Sequence, residues 1–220
     1  LLRWQSAEHG AVPPARFIPL AEHSGLILPI GRWVMDAACK FANRLSELGR
    51  TDIHVAVNIS PKQLSVEDFI ENVRLSIDSS GIEPCQIELE ITENVLIDSL
   101  EDSIRKLEEL KEFGVRLSLD DFGTGFSSLT YLRSLPVGTL KIDKRFVDDV
   151  GKNVQQDDFV RLIIDMARMM ELNVVAEGVE TEEQLRRLAE MNCNCIQGYV
   201  FSRPVSEEEA VRLLQNNQEN

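Results

Sequence analysis

From residue 53 onward, short runs rich in Val, Ile and Leu alternate with longer segments whose apolar residues recur at helical spacing. The short runs are IHVAVN (53–58), QIELEI (86–91), VRLSLD (115–120), TLKID (139–143), NVVAE (173–177) and CIQGYV (195–200), and each predicts a strand. The segments between them have legible ends. Ser65 with Asp68, Thr181 with Gln184 and Ser206 with Glu209 each place a capping hydroxyl three residues ahead of an acidic or amide side chain. Gly49, Gly81 and Gly114 stand where helices should stop. A helix over 99–113 would bury Ile104, Leu107 and Leu110 on one stripe. Further helices are expected near 14–23 and 30–48, and LLRWQS at the start reads as the tail of another strand.

Repeated strand–helix units imply parallel strands covered on both faces. The expectation is an α/β fold, a TIM-like (β/α) barrel incomplete at its N-terminus. One strand and part of another would lie upstream of Leu1. A doubly wound open sheet is the alternative. No low-complexity tract or linker divides the chain, so residues 1–220 read as a single domain, a fragment of a longer protein.

Composition narrows the function. The 220 residues are 43% hydrophobic and 27% charged, as in a globular domain. The most apolar window, GLILPIGRWVMDAACKFA, carries Arg32, Asp36 and Lys40, which marks a core helix and not a membrane span. A net charge of −14 opposes binding to a DNA or RNA polymer. Cys39, Cys85, Cys193 and Cys195 have no framework spacing and read as reduced thiols in a cytosolic setting. His9, His23 and His54 form no helical pair, which argues against zinc.

The polar residues fall in a pattern. Asn58, Glu90, the pair Asp120 and Asp121, Lys141 with Asp143, Glu177 and Gln197 each stand at or near the C-terminal end of a different predicted strand. In an α/β barrel those ends meet on the face where such barrels do chemistry. Carboxylates converging there repel one another unless a proton or cation compensates. Oxygen donors with one amide suit hard ions, Mg²⁺ or Mn²⁺. Adjacent aspartates allow one carboxylate to bridge two ions about 3.5–4 Å apart. A solvated acidic turn is the plainer alternative for that pair. Lys141, between Leu140 and Ile142, would face the carboxylates and orient a water or stabilise phosphoryl charge, or else snorkel from the outer layer. Glu177 is a ligand or base candidate, and Arg3 a candidate for gripping phosphate.

LLRW, VAVNIS, ELEITE, DDFGTGFSSL, LKIDKRFV, VVAEGVE and IQGYVFSRP occur in the order and spacing of the EAL domain, and the chain resembles that family along its whole length. The resemblance implies a barrel that hydrolyses the bacterial second messenger cyclic di-GMP to linear pGpG, using two Mg²⁺ or Mn²⁺ ions, with Ca²⁺ inhibitory. It implies metal ligation by Asn58, Glu90, Asp120, Asp121 and Glu177, with Lys141 holding the attacking water and Glu177 as second-metal ligand or base. Arg3, Glu180 and Gln197 are similar to substrate-side residues, and Glu93 to the glutamate that anchors the loop after the aspartate pair. It also implies a homodimer through that loop and the helix beyond it, and an upstream sensor or cyclase-type domain. The domain would be cytoplasmic, with membrane anchoring of the parent protein left open. The glutamate of Glu-Ala-Leu should precede LRW, whereas this chain begins at the leucine, so truncation inside the motif is expected. Phe126 stands where the family commonly has Tyr. A catalytically silent cyclic di-GMP receptor is the competing function, and an unrelated metal-dependent barrel enzyme a third.

Overall fold

The computed structural model describes residues 2–93, 100–123, 129–193 and 195–216. The chain divides into two compact units, one of Leu1–Leu89 with Asp98–Arg116 and one of Glu90–Ile97 with Leu117–Asn220. Eight strands occur among the described residues: β1 (Trp4–Ser6), β2 (Gly10–Val12), β3 (Val55–Ile59), β4 (Ile87–Thr92), β5 (Arg116–Phe122), β6 (Thr139–Ile142), β7 (Asn173–Glu177) and β8 (Cys195–Gln197). The last six hydrogen-bond in the order β3-β4-β5-β6-β7-β8, and the pairs β5–β6, β6–β7 and β7–β8 are parallel. Strands that keep chain order have the topology of an incomplete TIM-like barrel. A doubly wound sheet needs a reversal of strand order, and none occurs among the described strands.

In the first unit, helix Ile27–Glu47 packs on helix Phe69–Ser80 and on β3, burying Met35, Cys39, Ala42, Leu45, Val73 and Ile77. The expected strand tail at LLRWQS is β1, but it pairs antiparallel with β2 in a sheet of its own. Helix Leu100–Phe113 buries Leu107 and Leu110 as expected, while Ile104 is half-buried. Lys106 is buried as well, because its ammonium meets the carbonyls of Leu64 (2.9 Å) and Val66 (3.1 Å) and the Asp102 carboxylate (3.0 Å). In the second unit, Leu117, Leu119, Leu140, Ile142, Val160, Ile164, Ala176 and Leu188 form the core.

Of the predicted caps, Thr181 with Gln184 forms a full capping box, and Ser206 accepts the Glu209 N–H at 3.3 Å. Ser65 does not cap a helix. It ends the short helix Pro61–Ser65, whose box is Ser60 with Gln63, because Pro61 fixes the first helical position one residue after Ser60. Gly49, Gly81 and Gly114 all have positive φ at helix ends, as expected. The strand expected over 195–200 stops at Gln197, since a Cβ at Gly198 would lie 2.1 Å from the Val179 carbonyl oxygen and the chain turns there. All four cysteines are free. No helix among the described residues is long and apolar enough to cross a membrane.

Candidate active site

The site is built in the second unit, at the C-terminal ends of its strands. In β6, Leu140 and Ile142 are fully buried on one side, and alternation turns Lys141 to the other, where it is only 4% exposed. Its Nζ lies 2.5 Å from Glu90 Oε1, 2.5 Å from Glu177 Oε1 and 3.4 Å from Asp120 Oδ1. One ammonium therefore ties three strands together through three carboxylates. Burial pulls the Lys141 pKa down, but the charges of Glu90, Asp120 and Glu177 outweigh it and hold the amine above the ordinary lysine value. Glu177 moves up: burial raises its pKa, and the nearby Lys141 offsets only part of that rise.

Adjacent residues of a regular strand point to opposite faces, so Asp120 and Asp121 should diverge. They do not, because β5 is irregular here. Leu119 pairs with Leu140 and Phe122 with Ile142, which leaves both aspartates opposite the single residue Lys141. This is a β-bulge, and Asp121 takes the left-handed conformation (φ 54°) that re-aims its side chain. Asp120 Oδ1 accepts the Asp121 N–H at 2.9 Å, closing the turn. As a result Asp120, Asp121 and Glu177 each offer an oxygen within 4.8 Å of the others. Burial, the Asp120 charge and a hydrogen bond with Asp143 push Asp121 up to about 6. Asp143 goes the other way despite burial, because it accepts both the backbone N–H (2.7 Å) and Nε (2.9 Å) of Arg145.

The donor set fits a divalent cation. Carboxylate oxygens are gathered within reach of one ion, and their mutual repulsion is the energy such an ion would relieve. Glu90 joins the group through Lys141.

The other predicted residues are placed as follows. Glu93 is buried, and its Oε1 accepts the Gly123 N–H at 2.8 Å at the start of the loop after the aspartates. Residues 124–128 of that loop, including Phe126, and the expected dimer contacts there lie outside the described residues. Gln197 opposes Glu177 across β7–β8. Glu180 is exposed and ion-paired with Lys144 at 3.1 Å. Asn58, on β3, and Arg3, just before β1, belong to the first unit; both are exposed, and Arg3 Nη1 donates to the Leu2 carbonyl at 3.0 Å. Sequence reasoning set Asp143 among the strand-end polar residues without a specific role and passed over Arg145; the two hold Asp121 from the side. The available signal was that Asp143 lies two residues beyond Lys141.

Comparison with known proteins gives this arrangement a family. The EAL domain model matches residues 1–204. The chain belongs to the EAL domain family. It is 40% identical over 209 residues to the bifunctional diguanylate cyclase/cyclic di-GMP phosphodiesterase MucR of Pseudomonas aeruginosa, covering 95% of this chain and 30% of that protein. It is 42% identical over 205 residues to the cyclic di-GMP phosphodiesterase NbdA of the same organism, covering 93% of this chain and 26% of the relative. The chain thus spans about a third or less of these relatives' lengths. Among solved structures, the PaMucR phosphodiesterase in complex with c-di-GMP superposes with a TM-score of 0.91 at 40% identity, covering 96% of this EAL chain and 85% of that one.

Three outcomes follow from the geometry and charge of the site. Lys141→Met would leave Glu90, Asp120 and Glu177 without their cation, so metal-free protein should lose about 3–5 kcal/mol in chemical denaturation, and Mn²⁺ should restore part of it. Asp121 has a folded pKa of about 6, above its unfolded value of about 3.9, so the native state holds a proton that the unfolded chain gives up between those values. The stability that Asp121 contributes, read as metal-free wild type minus Asp121→Asn in chemical denaturation, should therefore fall as pH rises from about 4 to 6 and then level. Mn²⁺ held by Asp121 would displace that proton, and its affinity by titration calorimetry should then rise about tenfold from pH 5 to 7.5. A flat affinity profile would contradict the placement of Asp121.

Proposed function

We propose that this EAL domain hydrolyses cyclic di-GMP to linear pGpG in a divalent-metal-dependent reaction. The observation that carries the reading is the trio Asp120, Asp121 and Glu177, with ligand atoms inside 4.8 Å, set beside Lys141 in an EAL chain. The names of the relatives support the substrate: MucR and NbdA are described as cyclic di-GMP phosphodiesterases. The presence of Glu90, Asp120, Asp121, Lys141 and Glu177 together favours catalysis over the silent receptor, which would tolerate gaps among them.

Asn58, Glu90, Asp120, Asp121 and Glu177 would hold two Mg²⁺ or Mn²⁺ ions, with Ca²⁺ inhibitory. Bound ions would lower the pKa of a water at neutral pH and offset phosphate charge. Lys141, kept charged by its three carboxylates, donates a hydrogen bond that fixes the attacking water. Glu177, made more basic by burial, takes the proton from that water. The water oxygen bonds to phosphorus in line with the departing ribose oxygen, the phosphorus–oxygen bond breaks, and a proton neutralises the leaving group. Arg3 would grip a phosphate, Glu180 and Gln197 would line the substrate side, and Glu93 would anchor the loop through Gly123. The chain would act as one EAL domain, as a homodimer through the loop and helix after Asp121. An upstream sensor or cyclase-type domain in the protein that carries it would set its activity in the cytoplasm, whether or not that protein is membrane-anchored. DNA and RNA polymers would not bind.

Glu177→Gln in the protein that carries this chain should lower pGpG formation from cyclic di-GMP with Mn²⁺ by at least about 10²-fold while leaving cyclic di-GMP binding within a few-fold. Chromatography reads the first and calorimetry the second. Tight binding by the wild-type protein without any pGpG would favour the receptor instead.

A further inference from the structure

The turn carrying Asp121 is gripped from the segment that follows β6, and the grip is double. Asp143 hydrogen-bonds to Asp121, and Asp143 also accepts at the start of the short helix Lys144–Val147. Three residues on, Phe146 sits in that helix with its N–H on the Asp143 carbonyl at 3.0 Å. Its ring occupies the space beside Gly123, two residues beyond Asp121. A Cβ at Gly123 would come within 2.7 Å of Phe146 Cε2 and 2.9 Å of Cζ. Gly123 has φ 93°, and its N–H is fixed from the other side by Glu93. The ring is backed in turn. Phe159, from helix Val154–Met169, lies against it with centroids 5.2 Å apart, and Gln156 Nε2 donates to the Phe146 carbonyl at 3.0 Å.

We propose that Phe146 is a positioning residue for the metal site: its ring, wedged against Gly123 and braced by Phe159, sets where the backbone turns and so where the Asp121 carboxylate stands. This rests on the reading of Asp121 as a metal ligand. Phe146 touches neither ion nor substrate in this account. A bulge breaks the regular ladder, so Asp121 is placed by its bonds to Asp120 and Asp143, and the turn beneath it by the Phe146 ring on one side of Gly123 and the Glu93 bond on the other. A ligand displaced by a fraction of an ångström weakens the ion and misplaces the water it activates, which makes such supporting groups matter about as much as outer-shell partners usually do.

The test uses the protein that carries this chain, with Mn²⁺ affinity by calorimetry and kcat and KM for cyclic di-GMP measured separately. Phe146→Ala should weaken Mn²⁺ about 10–100-fold and lower kcat with KM changed little, and Phe146→Leu should recover most of the affinity. Leu188→Ala, which removes a fully buried side chain from helix Glu182–Glu190, destabilises the same unit through a cavity of its own and should leave Mn²⁺ affinity unchanged. Equal loss of Mn²⁺ affinity in Leu188→Ala and Phe146→Ala, or wild-type affinity in Phe146→Ala, overturns the inference. If Phe146→Ala does not fold, Phe159→Ala takes its place. Phe159 is 42% exposed, so its removal spares the core, and it should weaken Mn²⁺ severalfold; no change overturns the inference. Asp121→Asn separates the two levels. Unchanged Mn²⁺ affinity in Asp121→Asn overturns the ligand reading itself, whereas its loss there beside a normal Phe146→Ala overturns only the positioning role.

Discussion

A buried ammonium shared by two buried carboxylates and a half-buried third holds the working end of the second unit together. Lys141 is only 4% exposed, and Glu90, Asp120 and Glu177 come to it from β4, β5 and β7. Neither partner set is stable alone at that depth. An unpaired ammonium would carry a desolvation cost of several kcal/mol, and three unpaired carboxylates would add mutual repulsion to theirs. The strand order β4-β5-β6-β7, parallel from β5 to β7, is what makes the arrangement possible, because parallel neighbours bring successive strand ends to the same edge. The same electrostatics leave the group short of positive charge. Asp121 answers with a pKa pushed up to about 6, and a divalent cation would answer better.

The position of Lys141 was legible in the sequence for a simple reason. Its neighbours Leu140 and Ile142 are apolar, and alternation then decides its direction. Glu90 and Glu177 were legible as polar residues at the ends of predicted strands. Alternation could not explain the aspartate pair, since its strict form sends Asp120 and Asp121 apart. What unites them is a bulge with a left-handed Asp121, and two adjacent aspartates do not by themselves announce one. Local patterns misled in two other places. Ser65 fitted a cap, but Pro61 had already set the helix start one residue after Ser60. CIQGYV looked like six strand residues, but the backbone at Gly198 passes too close to Val179 for the strand to continue. The division into two compact units left no mark in composition at all.

Glycine has a definite purpose at the strand ends of this EAL domain. Gly123 yields its Cβ space to the Phe146 ring and Gly178, just after Glu177, to the Lys144 stem, where a Cβ would lie 2.3 Å from Cγ. In both cases the residue adjacent to a carboxylate of the cluster, or one step beyond it, gives up a side chain so that the segment after β6 can close in. The segment 141–146 thereby supplies the central ammonium, the Asp143 partner of Asp121 and the aromatic wedge. Six consecutive residues thus act on three neighbouring strands.

The most direct measurement is anomalous diffraction from crystals of the carrying protein grown with Mn²⁺. The account predicts anomalous density coordinated by oxygens of Asp120, Asp121 and Glu177, with Lys141 beside it. Density confined to other parts of the protein, with Lys141 still bridging Glu90 and Glu177 and the aspartates without an ion, would contradict it.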